Sequence, residues 1–233
     1  MVKTAAFIAC LWAAPADACR LALVLAMDVS SSVNAEEDRL QRDGLAAALQ
    51  APDVQAAFLS GPDPVAVFVF EWSGRYNQTD LTDWVLIETP TDLRALSEMI
   101  ATSTRSQDDF PTAMGYALGH AAVRLRAAPG CAKRTIDISG DGENNDGFGP
   151  QSAYDAFDFA DVTVNGLVIN GAEFEAETDL VSFYRDHVIH GPGAFVEIAD
   201  GFDDYERAMR RKLIREITAQ VIGVLTTMEP SEG

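Results

Sequence analysis

The chain has 233 residues, with 17 Lys or Arg against 36 Asp or Glu, which gives a formal charge of −19. This charge argues against nucleic acid or an anionic membrane surface as a partner, because both attract clustered Lys and Arg. Hydrophobic residues make up 48 % of the chain and charged residues 23 %, which excludes wholesale disorder. The length predicts one domain of roughly 200 residues, or at most two small ones.

Residues 1–18 have the pattern of a secretory signal peptide. A basic start is followed by an apolar run over residues 5–14 and by the small-residue pattern Ala16-Asp17-Ala18, which predicts cleavage before Cys19. A buried N-terminal helix is the alternative. We expect an exported protein, periplasmic or secreted. Since no later run is long enough to span a bilayer, we also expect no membrane insertion of the mature chain.

The mature chain begins with a predicted strand. Leu21 to Met27 is a continuous apolar run, typical of a strand covered on both faces. Asn34, with Glu37 three residues later, predicts a capped helix. Residues 64–70 predict a second buried strand, and residues 84–88 a short edge strand.

Helices and strands continue to alternate along the rest of the chain. We expect helices over 93–100, from Thr112 to about 128, from 150 to 160, near 178–187 and over 203–225, with strands at 134–139, 163–169 and 194–198. This alternation predicts an α/β fold with a doubly wound, mostly parallel sheet of about six strands and helices on both faces. No linker divides residues 19–233, which we therefore interpret as a single domain.

Cys19 and Cys131 are the cysteines that remain after signal removal. Each lies two residues ahead of a hydrophobic run, and the two runs end at Asp28 and Asp141. If the runs are neighbouring parallel strands, both cysteines lie at one edge of the sheet and both aspartates at the other. An oxidising compartment then favours a disulfide, with two free buried thiols as the alternative.

Oxygen-rich side chains cluster at the predicted carboxyl edge of the sheet, where ligands of doubly wound folds bind. Asp28, Ser30 and Ser32 alternate along an extended segment and so share a face. Thr112 opens a predicted helix and Asp141 follows a later strand. Two carboxylates and three hydroxyls suit a hard divalent cation. Each residue taken alone also fits a simple capping role.

These residues resemble the von Willebrand factor type A (VWA) domain and its metal-ion-dependent adhesion site (MIDAS). The match consists of Asp-x-Ser-x-Ser at 28–32, Thr112 and Asp141, and it extends over the mature chain in element order. Within that superfamily, the segments 136–145 and 40–45 are similar to an uncharacterised group of exported bacterial proteins.

The resemblance implies a Mg²⁺ site, with Ca²⁺ or Mn²⁺ as alternative ions. It implies that Ser30, Ser32 and Thr112 bind the ion directly, that Asp28 and Asp141 act directly or through water, and that an Asp or Glu of a protein partner completes the shell. This sequence departs from the family pattern at Asp108-Asp-Phe-Pro111, which precedes Thr112 where adhesive members commonly have a Gly-rich segment. The expected rim residues for a partner are Trp72, Arg75, Tyr76, Asp108, Asp109, Asn144 and Asn145.

We therefore expect an exported, non-enzymatic interaction module that binds a partner carboxylate through its cation. Two alternatives stay open. One is a metal-assisted hydrolase with Asp108 or Asp109 as base. The other is a scaffold domain with a degenerate metal site.

Overall fold

Seven strands form one sheet within residues 19–170 and 177–227, which the computed structural model describes. The predicted signal peptide lies outside these residues. The strands are β1 (Cys19–Asp28), β2 (Val65–Trp72), β3 (Gln78–Asp80), β4 (Val85–Ile87), β5 (Cys131–Gly140), β6 (Val162–Ile169) and β7 (Val196–Ala199). The helices are α1 (Ala35–Gln50), α2 (Pro52–Phe58), α3 (Pro90–Thr102), α4 (Met114–Arg126), α5 (Pro150–Ala156), α6 (Glu177–Phe183) and α7 (Tyr205–Thr227). A π-helical turn (Tyr184–Val188) continues α6, and a 3₁₀ turn (Phe202–Asp204) precedes α7.

The strand order places β1 in the middle of the sheet. It runs β3-β2-β1-β5-β6-β7, and β4 also pairs with β2. The pairs from β2 through β1, β5 and β6 to β7 are parallel, whereas β3 and β4 run antiparallel to β2 at the edge. The chain moves from β1 outward to β2, then returns to the other side of β1 at β5. The order therefore reverses between β1 and β5, where such folds bind their ligands.

The register of β1 against β5 confirms the predicted edge arrangement. Cys19 lies opposite Cys131, and the two form a disulfide with their Cα atoms 4.4 Å apart. At the other end Met27 lies opposite Ser139, so Asp28 and Asp141 emerge at the same carboxyl edge. The expectation of a disulfide is thus confirmed.

Two apolar layers cover the sheet, one on each face. Leu21, Leu23 and Leu25 of β1 belong to a core cluster shared with α1, α2, α3 and α7. The intervening Ala22 and Val24 belong to a second cluster shared with α4 and α5. Because neighbouring residues of β1 face opposite layers and both layers are buried, the strand is apolar from Leu21 to Met27. The predicted doubly wound α/β fold is confirmed.

Several element boundaries differ from the prediction. The capping box of α1 is present, with Asn34 Oδ1 accepting from the Glu37 amide at 3.1 Å. Helix α4 begins at Met114, and its N-cap is Ala113 rather than Thr112. Helix α2 and the three-residue strand β3 were not predicted, since both are short. No helix in the described part of the chain has the length and apolarity needed to cross a bilayer.

A buried charge network fastens α7 to the sheet. Lys212 Nζ lies 2.7 Å from both Asp137 Oδ1 on β5 and Glu216 Oε1 on α7, and all three side chains are buried. Asn165 on β6 donates to Glu216 Oε1 at 2.7 Å. Burial raises the pKa of Asp137 to about 7, although Lys212 acts in the opposite direction. The network joins the last helix to two central strands.

Candidate metal centre

The segment that follows β1 supplies three of the predicted ligands. Asp28 and Ser30 are fully buried, and the Ser30 amide donates to Asp28 Oδ1 at 2.8 Å. The Ser30 and Ser32 hydroxyls lie 3.1 Å apart, while Ser32 is exposed. The alternation expected of an extended segment thus directs one buried carboxylate and two hydroxyls to one place.

The other two predicted ligands, Thr112 and Asp141, form hydrogen bonds with the two serines. Thr112 Oγ1 donates to the Ser30 hydroxyl at 3.3 Å, and the Ser32 hydroxyl donates to Asp141 Oδ1 at 2.7 Å. The five side chains therefore form one hydrogen-bonded group that joins the ends of β1 and β5 to the segment before α4. Its donor set contains only oxygen, which fits Mg²⁺, Mn²⁺ or Ca²⁺.

The loop after β5 holds Thr112 in position. Asn145 Oδ1 accepts from the Thr112 amide at 2.9 Å, and the Asn145 amide donates to the Thr112 carbonyl at 3.0 Å. Asn144 Oδ1 accepts from the Gly115 amide in the first turn of α4 at 3.3 Å. These asparagines were predicted as rim residues, and in the structure their side chains also connect the β5 loop to the start of α4.

Two residues that support the site were not among the predicted ones. Arg105 Nη2 donates to the carbonyls of Val29 and Ser30, both at 2.8 Å. Gln41 on α1 donates to the Asp28 carbonyl at 2.9 Å. Gln41 lies in a segment singled out for its family resemblance, which is a usable signal. Arg105 lies 75 residues from Ser30 in the chain, and no local pattern points to it.

The residues predicted to form a partner rim differ in their exposure. Trp72 is fully buried in the core, so the expectation that it lines a surface is wrong. As the last residue of β2 it points into the layer beneath α4. Arg75 is exposed and forms an ion pair with Asp146 at 2.6 Å, and Tyr76 is 87 % exposed. Asp108 and Asp109 are also exposed.

Burial and neighbouring charges disfavour the ionised form of both carboxylates of the group. Burial, and then the charge of Asp141, raise the pKa of Asp28 to about 8. Burial also raises the pKa of Asp141, and Glu37 adds to the rise. A cation placed between them would favour both ionised forms. The described residues contain no cluster of three or more His, Cys, Asp or Glu suited to a metal, so an ion here would depend on the hydroxyls.

Residues 18–221 match the family model described as "Protein of unknown function (DUF1194)". The chain belongs to this family. No curated protein matches the DUF1194 chain in sequence.

Solved structures similar to this DUF1194 protein include several VWA domains. Proximal thread matrix protein 1 from the mussel byssus, solved with a zinc-occupied MIDAS motif, is 18 % identical with a TM-score of 0.62, over 87 % of this chain and 48 % of that chain. A von Willebrand factor type A protein from Catenulispora acidiphila is 14 % identical with a TM-score of 0.61, over 85 % and 43 %. The PilB minor pilin from Streptococcus sanguinis is 11 % identical with a TM-score of 0.61, over 94 % and 65 %.

These similarities establish the fold of the DUF1194 protein as that of a VWA domain. The chain spans about half the length of the mussel protein that it matches. At such low identity the likeness is one of architecture, and function has to be argued from the site itself.

Proposed function

We propose that this protein is an exported, non-enzymatic interaction module that binds a divalent cation, Mg²⁺ in the first place, and through it a carboxylate of a protein partner. The observation that carries the proposal is the continuous group of Asp28, Ser30, Ser32, Thr112 and Asp141 at the point where the strand order reverses. Export is supported by the signal-peptide pattern of residues 1–18 and by the disulfide.

The charge and accessibility of the group favour this function. Ser32 is exposed and Asp141 is half-buried, so a partner can reach the group from solvent. With two ionised carboxylates around a divalent cation the net charge is close to zero, and three hydroxyls add no charge. Five oxygen groups leave one position of a six-coordinate shell, which a further carboxylate can occupy. A zinc-occupied MIDAS motif in the mussel protein agrees with ion binding at this kind of site.

Titration calorimetry with Mg²⁺, Mn²⁺ and Ca²⁺ tests the proposal on the mature protein. We expect one tight site that Asp28→Ala abolishes. Asp109→Ala is the matched control, because Asp109 is an exposed acidic residue close to Thr112 in sequence but outside the hydrogen-bonded group. Absence of a site in the wild type, or an equal affinity in the Asp28→Ala variant, would contradict the proposal. Metal-dependent turnover of a phosphoester would favour a hydrolase instead.

A further inference from the structure

Two buried oxygens lie close to Gly140, next to the candidate metal centre. They are Asp28 Oδ2 and the hydroxyl of Tyr184, and neither has a hydrogen-bond partner among the described residues. Both side chains are fully buried. A Cβ placed on Gly140 would lie 2.7 Å from the first oxygen and 2.8 Å from the second. The two atoms therefore border the same small space, where burying them unpaired would be costly.

Glycines on two neighbouring strands make room for the Tyr184 ring. Gly140 ends β5, and Gly166 lies on β6, where an added Cβ would approach Tyr184 Cδ1 to 2.5 Å. A side chain at either position would collide with the tyrosine. Tyr184 is also the first residue of a π-helical turn, a departure from regular helix that is frequent at functional sites. The two glycines thus leave room for a large phenol whose hydroxyl lies near Gly140, as does the carboxylate of Asp28.

We infer that Tyr184 is a positioning residue of the metal centre, whose hydroxyl donates a hydrogen bond to Asp28 Oδ2 when that carboxylate is ionised. The inference rests on the proposed function. The Ser30 amide already donates to Asp28 Oδ1, so a second donor on Oδ2 fixes the plane of the carboxylate. Hydrogen bonds to an ionised acceptor are the stronger ones, so Tyr184 favours the form of Asp28 that binds a cation.

The surroundings keep the phenol in its donor form. Burial, followed by the nearby carboxylates of Asp28, Asp141 and Asp137, raises the pKa of Tyr184 well above its ordinary value. The hydroxyl therefore retains its proton. A phenylalanine at this position would keep the packing of the ring and remove only the hydroxyl. The contributions of packing and of hydrogen bonding can therefore be measured separately.

The test compares Tyr184→Phe with Tyr205→Phe. Tyr205 is also fully buried, but its hydroxyl donates to Ser139 Oγ at 3.4 Å instead of facing Asp28. We expect Tyr184→Phe to weaken Mg²⁺ and Mn²⁺ binding about 10- to 100-fold, as for other groups that orient a metal ligand, while Tyr205→Phe leaves it unchanged. Wild-type affinity in Tyr184→Phe overturns the inference and leaves the proposed function standing. A wild type that binds no ion contradicts the proposed function itself.

A second variant and a second readout separate positioning from stability. Gly140→Ala keeps both oxygens but places a methyl group within 3 Å of each, and we expect it also to weaken ion binding. The near-ultraviolet circular dichroism of tyrosine should change when Mg²⁺ is added to the wild type and to Tyr205→Phe, but not to Tyr184→Phe. An identical spectral change in all three proteins overturns the inference, as does full ion affinity in a folded Gly140→Ala protein.

Discussion

At the residue scale, Asp28 connects the proposed metal centre to pH. Its pKa is about 8 in the folded protein, chiefly through burial, against an ordinary value of 3.8. Between these values the folded state holds a proton that the unfolded chain releases. This contribution to stability is therefore present at low pH and is lost as pH rises towards 8. A bound cation favours the ionised carboxylate and offsets the loss.

We predict that Mg²⁺ raises the melting temperature more at about pH 8 than at about pH 5.5, with the metal-free protein losing stability between the two. Differential scanning fluorimetry in chelator and in Mg²⁺ measures both effects. Asp28→Asn is the control, because it removes the titrating group but keeps the size of the side chain. If the metal-free Asp28→Asn variant loses as much stability as the wild type between these two pH values, another group is responsible. Asp137, with its raised pKa, is then the first to examine.

The same scale shows what could be predicted for the site. Asp28, Ser30 and Ser32 were recognisable because their spacing is local, whereas Thr112 and Asp141 were grouped with them through the predicted carboxyl edge of the sheet and the family resemblance. Arg105 and Tyr184 act through contacts between segments far apart in the chain, which no spacing records. The prediction for Trp72 was wrong because its place at the end of a strand says nothing of the face towards which its ring points.

At the scale of elements, the disulfide joins the two strands that lead to the carboxylates of the proposed metal centre. Cys19 and Cys131 pair at the amino ends of β1 and β5, and the bridge closes a loop with a sequence separation of 112. Cross-linking so long a loop stabilises the folded state by about 4–5 kcal/mol in the chain-entropy model. The site lies at the opposite ends of the same strands, so the bridge acts on it only through folding.

We predict that the Cys19→Ser, Cys131→Ser double variant loses about 4 kcal/mol of unfolding free energy in urea. Its Mg²⁺ affinity should equal that of the wild type under conditions where it is still folded. Wild-type protein treated with a reductant serves as a control without any substitution. Unchanged stability would show that sheet pairing alone holds β1 against β5, and a lost ion site would show that the bridge shapes the carboxyl edge as well.

Elements were predictable where their pattern is long. The buried strands β1, β2 and β6 are largely apolar, as a central position in a parallel sheet requires. By contrast, α2 has seven residues and follows α1 after a single residue, and β3 has three residues with no apolar run. Pairing with β2 determines where β3 forms, which is a tertiary effect.

At the scale of the whole molecule, the charge of −19 governs how a partner approaches. A partner that presents a carboxylate is repelled by this surface until a cation occupies the site. Salt screens such repulsion, with a Debye length of about 8 Å at physiological ionic strength. Salt has the opposite effect on a basic partner, because it then screens an attraction and weakens binding.

We therefore predict that a partner captured in Mg²⁺ from the native exported fraction is released by chelator but retained as NaCl rises to about 0.5 M. Two columns, one carrying the wild type and one Asp28→Ala, make the comparison, and proteins held equally by both are discounted. Release by salt with no response to chelator would mean that general electrostatics holds the partner, and the carboxylate-to-cation contact would then be wrong. Retention under salt together with release by chelator requires the ion itself, since a chelator leaves the protein's 36 acidic residues unchanged.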